Sequence, residues 1–188
     1  MKKLVKNLSI LAFSTILYAD CTVDYSVMYV IAKNERHASK DVGYPYLISF
    51  NNQDDANKAR KELNLNWLDK RTVDCGELST CKLNLSNINL IKITNLDLGA
   101  YQINQNFNNF EDADEYFVLK NSYEKACDIV YRHYQETKRW DWQTIARYHS
   151  KTQKYNHIYA ANLEEKYANI IQIKAKKEST NDEKNTDN

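Results

Sequence analysis

Backbone punctuation is scarce in this chain. Its 188 residues contain only three glycines and one proline: Gly43, Pro45, Gly76 and Gly99. Gly and Pro supply most tight turns, so a chain with so few of them leans towards long helices and away from all-β folds. The four that remain mark the places where the backbone must turn sharply. The length suits one domain with a sizeable core. Hydrophobic residues at 43% and charged residues at 27% are ordinary for a soluble globular protein, so neither a fully membrane-embedded nor a fully disordered chain is implied.

Residues 1–19 read as a secretory signal peptide. Lys2, Lys3 and Lys6 form a basic start, and Leu8 to Tyr18 is an apolar run too short to span a membrane. Ala19 is the expected last residue before cleavage. Asp20 precedes Cys21 where a lipobox needs a small residue, so secretion is expected rather than lipidation. This places the mature protein in the periplasm, with no stable membrane anchor after cleavage. Removing the three lysines from 26 basic residues leaves 23 against 25 acidic, a net charge of −2. No basic block stands out, which argues against nucleic acid as a partner.

Four cysteines remain: Cys21, Cys75, Cys81 and Cys127. In an oxidising compartment an even count favours disulfides. Cys75 and Cys81 flank Gly76 in a short polar loop and are expected to pair. Cys21 then pairs with Cys127, tying the start of the mature chain to a later helix. A zinc site is the weaker alternative, because there is no C-x-x-C pair and the histidines are scattered. No metal and no cofactor are expected.

Along the chain, Val23 to Lys33 is apolar on nearly all sides and reads as a buried helix. Gly43 to Phe50 reads as a short strand or extended turn around Pro45. Asn51 or Asn52 can cap a polar helix over Gln53 to Leu65. Between Trp67 and Asn95 the apolar residues fit neither helical nor strand period, and helix and strand stay open. Tyr123, Ala126, Cys127, Val130, Tyr131 and Tyr134 follow helical spacing. Trp142 to Ser150 reads as a short helix, and Tyr155 to Ile171 as another. The segment 174–188 is almost devoid of apolar residues and reads as a disordered polar tail.

Three features carry potential chemistry. Glu35 ends the first apolar helix. A carboxyl group held beside apolar side chains keeps its proton to higher pH and can donate it. Local chemistry alone favours a plainer reading, in which Glu35 is the first exposed residue past a buried helix. The second feature is the segment Asp97 to Asn104, in which Gly99 permits a tight backbone and Gln102 and Asn104 offer amides suited to sugar hydroxyls and N-acetyl groups. The third is Ala146-Arg147-Tyr148-His149-Ser150, where a tyrosine hydroxyl can orient a carboxylate. His149 and Ser150 do not make a hydrolase pair, because adjacent helical residues do not face each other and no G-x-S-x-G elbow is present.

Taken in order, Glu35, Gly99–Asn104 and Tyr148–Ser150 resemble the soluble lytic transglycosylase (SLT) domain family. The closer likeness is to the small lytic transglycosylases of type IV secretion and conjugation systems. The resemblance spans roughly residues 22–170 and implies an α+β, mainly α, lysozyme-like fold over residues 20–173, with a small β element beside the active-site cleft. The implied substrate is the glycan strand of peptidoglycan, with type IV secretion components as possible partners. Glu35 would be the single catalytic acid and base, and Tyr148 would orient it. Gln102, with Tyr101, would contact the sugar near its N-acetyl group, and Asn104 would either bind sugar or support the turn. Tyr44 and Tyr46 would line a saccharide subsite if they are not simply packed, since sugar faces stack on aromatic rings. Two positions depart from the family pattern: Arg36 stands where Ser or Thr usually follows the Glu, and Tyr101 where Met or Leu usually precedes the Gln. The segment between the first two motifs is also longer than in minimal members.

Ordinary glycosidases use two carboxylates. The resemblance implies one, with the substrate's N-acetyl group stabilising positive charge and its C6 hydroxyl closing a 1,6-anhydro ring. Asp41 and Asp97 are the nearest second acids and are assigned no catalytic role. Two other readings compete: a hydrolytic muramidase of lysozyme type, and an inactive peptidoglycan-binding component of a secretion apparatus.

Overall fold

The computed structural model describes residues 21–186 apart from Glu111, with side chains placed up to residue 173. The expected signal peptide therefore lies outside the described residues. In chain order the elements are α1 (Tyr25–Glu35), β1 (Leu47–Phe50), α2 (Gln53–Glu62), β2 (Thr72–Asp74), α3 (Leu78–Leu90), β3 (Leu96–Leu98), β4 (Ile103–Asn104), α4 (Asp114–Phe117), α5 (Leu119–Thr137), α6 (Trp142–Ile145), a 3-10 turn (Ala146–Tyr148) and α7 (Gln153–Thr186). The fold is α+β and mainly helical, with one small antiparallel sheet. Among the described residues no helix is long and apolar enough to cross a membrane.

The chain divides into two compact units where the composition suggests one. Unit 1 includes Glu35–Asp128 and the start of the described chain to Thr22. Unit 2 comprises Val23–Asn34 and the chain from Ile129 onwards. Two helices are cut by this division: α1 lies in unit 2 except for its last residue, Glu35, and α5 passes from one unit to the other after Asp128.

Unit 1 is built on the sheet, in the order β2-β1-β3-β4. Its register sorts side chains into rows, because alternate residues point to opposite faces. Val73, Ile48, Leu98 and Ile103 stand opposite one another across the four strands and are all buried. The neighbouring row is polar: Thr72, Ser49, Asp97 and Asn104. Phe50 lies in the core and stacks on Trp67, whose backbone bridges to Val73. Helix α2 begins at Asn52, whose side chain accepts the Asp55 N–H at 2.8 Å, and Asp54 and Asp55 complement the helix dipole in the first turn. Residues 78–90 resolve as helix. Both expected disulfides are formed, Cys75–Cys81 and Cys21–Cys127, and both lie within unit 1.

Unit 2 contains helices and no strand among its described residues. Met28, Val30 and Ile31 of α1 are buried, as are Ile145, Ala146, Tyr159, Ala160 and Leu163. Asp141 caps α6 by accepting the Thr144 N–H at 2.7 Å. Trp142 packs against Tyr167, which fixes α6 on α7. Helix α7 runs to Thr186, through positions where polar composition predicts a disordered tail. The physical reason for the difference is local: Ala, Lys and Glu are strong helix formers and no Gly or Pro interrupts them, so a helix nucleated on its packed first half propagates.

Candidate functional site

The Gly99–Asn104 segment joins β3 to β4 as a tight turn whose backbone only a few residues can adopt. Gly99 has φ +75°, and its N–H is donated to the Leu47 carbonyl at 2.9 Å. A Cβ at this position would overlap the carbonyl oxygen of Tyr116 and crowd the Ser122 hydroxyl. The close approach of α4 thus requires glycine here, beyond its freedom in φ. Gln102 also lies in the left-handed region, with φ +46°. Its backbone N–H and its side-chain amide both donate to the Gly99 carbonyl, at 3.2 and 2.8 Å. A non-glycine residue held at positive φ costs energy that the surroundings must supply, a feature that clusters at functional sites.

Asn104 is fully engaged in holding this turn. Its amide donates to Asp97 at 2.7 Å and to Asn95 at 3.1 Å, and its oxygen accepts the N–H groups of Asn106 and Phe107. Of the two roles open to Asn104, sugar binding or turn support, its hydrogen bonds serve the second. Asp97 is correspondingly a structural acceptor beside Gly99. Tyr101 is only 4% exposed, with its ring edge-on to Tyr123, so it occupies a core position. Within the motif, Gln102 and Asn104 are both half-buried, and Gln102 is the one in the turn between the strands.

Glu35 is half-buried and terminates α1 in unit 1, the unit that also holds Gly99–Asn104. Residues 36–40 form a turn in which the Arg36 guanidinium donates to the Lys40 carbonyl at 2.9 Å. Lys40 then reaches Asp74 at 2.5 Å, and Tyr44 donates its hydroxyl to the other oxygen of Asp74 at 2.7 Å. Burial would raise the Asp74 carboxyl, but the hydrogen bonds from Lys40, Tyr44 and the Gly76 N–H outweigh it and hold the group below the usual carboxylate range. Its Asp74 hydrogen bond pushes Lys40 up, against burial. Burial, and then the same carboxylate, push the Tyr44 hydroxyl up. Tyr44 meets Tyr46 edge to face, under the Lys40 ammonium. The two tyrosines thus form one half-buried cluster anchored on Asp74. Nothing in the sequence pattern marks Asp74, whose side-chain partners Lys40 and Tyr44 lie 34 and 30 positions away.

Tyr148 and His149 belong to unit 2. Tyr148 ends the 3-10 turn and is half-buried. His149 stacks parallel on Tyr159 with centroids 4.7 Å apart. The segment is pinned by Asn156, a buried residue of α7 whose amide donates to the carbonyls of Gln143 at 3.0 Å and Ser150 at 3.1 Å. Sequence reading missed Asn156, although an amide among the apolar positions of a helix is a visible signal for such a brace. Glu136 of α5 is bound by Arg147 and Lys151, both at 2.9 Å. Among the described residues, no group of three His, Cys, Asp or Glu side chains is placed to hold a metal ion.

No protein-family model matches this chain, and no curated protein or solved structure matches it.

Proposed function

We propose that this chain is a peptidoglycan lytic transglycosylase acting in the periplasm, where it opens the cell wall locally for a secretion or conjugation apparatus. The observation that carries the reading is the Gly99–Gln102 turn. It holds one non-glycine residue in the left-handed region and a glycine whose backbone neighbour excludes any side chain, and it shares a unit with the acid that ends α1. Glu35 protonates the glycosidic oxygen between N-acetylmuramic acid and N-acetylglucosamine, and the bond to the muramic C1 breaks. The substrate's N-acetyl oxygen stabilises the cation that develops. Glu35, now a carboxylate, takes the proton of the C6 hydroxyl as that oxygen bonds to C1 and closes the 1,6-anhydro ring. Gln102 contacts the N-acetyl region of the substrate.

The test is digestion of purified sacculi, with the soluble products identified by mass spectrometry. Anhydromuropeptides are expected, and Glu35→Gln should lower their release by at least a hundredfold. Full activity in Glu35→Gln would remove the basis of the proposal.

A further inference from the structure

A second constellation in unit 1 has the connectivity of a nucleophilic triad and lies outside the residues assigned above. The Ser39 hydroxyl is 2.8 Å from Nδ1 of His37, and Nε2 of His37 is 3.2 Å from Oδ2 of Asp69. The direction of these bonds follows from a third contact. The backbone N–H of Ser39 points at the same Nδ1, at 3.2 Å, so Nδ1 is the acceptor nitrogen. The ring proton then sits on Nε2 and is donated to Asp69. This is the tautomer in which the imidazole can take a proton from Ser39. The ring nitrogens are exchanged relative to the Ser-His-Asp arrangement of serine proteases, but each is chemically able to fill either role.

Asp69 is built to stay ionised and in place. Its Oδ1 accepts the backbone N–H groups of Arg71 at 2.7 Å and Thr72 at 2.6 Å, and its Oδ2 accepts the Thr72 hydroxyl. The turn that presents Ser39 is closed by the Lys40 N–H to His37 carbonyl bond and by Arg36 on the Lys40 carbonyl. The Arg36 guanidinium is thus held in the same turn. Ser39, Arg36 and Ala38 are all exposed, so no walled acyl pocket surrounds the hydroxyl.

From these contacts we infer that Ser39, His37 and Asp69 hydrolyse carboxylic esters that carry a short acyl group, such as acetyl, on a solvent-facing alcohol. Ser39 Oγ bonds to the ester carbonyl carbon as its proton passes to His37 Nδ1. His37 returns that proton to the departing alkoxide as the ester C–O bond breaks, leaving acyl-Ser39. Water then attacks the acyl carbon, losing a proton to His37, which delivers it to Ser39 Oγ as the carboxylic acid leaves. Ester and water give acid and alcohol, with no change in oxidation state. Asp69 acts as a positioning residue through His37.

The probe is a fluorophosphonate, with adducts mapped by peptide mass spectrometry on the full chain. Ser39 should be labelled at least tenfold faster than exposed Ser79, and phenyl acetate should be hydrolysed at a rate that Ser39→Ala abolishes. His37→Gln, which keeps a polar group of similar size, and Asp69→Asn should each slow both readouts at least tenfold, in protein shown by thermal melting to be folded. Labelling and ester hydrolysis are read apart from the release of anhydromuropeptides, so this inference and the transglycosylase reading fail separately. Labelling of Ser39 no faster than Ser79, or unaffected by His37→Gln, overturns the triad.

Discussion

The two units hold themselves together by different means. Unit 1 packs short helices on a four-stranded sheet of short strands and closes them with both disulfides and a glycine that admits no side chain. Unit 2 uses helices, aromatic pairs such as Tyr134 on Trp140, a buried amide at Asn156 and an ion cluster on Glu136. Short elements bury little surface each, so unit 1 depends on covalent and backbone constraints. Long helices bury enough for side-chain packing to suffice. The contrast places both disulfides, Gly99 and the strained Gln102 in the unit that also carries Glu35.

Four perturbations sharpen the contrast, in decreasing order of size. Replacing Cys21 and Cys127 by Ser removes a link across 106 positions. Loop-closure entropy puts the loss at about 4–5 kcal/mol. Denaturant unfolding followed at Trp67, the tryptophan of unit 1, should show it most clearly in a chain where Trp140 and Trp142 are replaced by Phe. The next effect is at glycine. Gly99→Ala should cost about 3–4 kcal/mol, from overlap with the Tyr116 carbonyl added to left-handed strain. Gly76→Ala shares the positive φ but meets nothing within 4 Å, and should cost only about 1 kcal/mol. Equal losses at the two sites would contradict the close-approach argument.

Acid should separate the units by pH. His133 of unit 2 has its pKa lowered, first by burial and then by Lys151 and Arg147, against an opposing pull from Glu136. The unfolded chain takes up a proton near pH 6.5 while the folded ring resists until lower pH. Stability of unit 2 is therefore full above about pH 6.5 and falls as the pH drops below it. Asp74 of unit 1 is lowered from the usual carboxylate range, so its contribution is present above about pH 4 and is lost only as the pH falls through the folded value. Melting monitored at Trp67, and separately at Trp140 and Trp142, should show the earlier acid limb only in unit 2, and His133→Gln should remove it. The smallest effect is at the caps. Asn52→Ala and Asp141→Ala should each cost about 1 kcal/mol, one per unit, measurable as a drop in Tm.

What could be read from the sequence divides along the same line. Helix α5 was legible because Tyr123, Ala126, Cys127 and Val130 keep a clean buried stripe. Helix α3 was not, because Leu83 and Leu90 face solvent at 61% and 77% exposure while Leu85 and Ile88 are buried, which blurs the period. Strands β2 and β4 are three and two residues long, too short for alternation to register, and their pairing is set by residues distant in sequence. The disulfides were legible from spacing and count. At the candidate site, Gly99 announced its turn, but the burial of Tyr101 against Tyr123 and the internal use of Asn104 depend on tertiary neighbours that no local pattern encodes. The Asp74 cluster and the Ser39–His37–Asp69 contacts depend on the same kind of distant pairing.

The central claim is that one carboxylate, Glu35, cleaves glycan strands without water entering the product. Digestion of sacculi in oxygen-18 water tests it most directly. The account predicts soluble fragments with 1,6-anhydro ends that carry no label, and their loss in Glu35→Gln. Labelled reducing ends, or no soluble fragments at all, would contradict it.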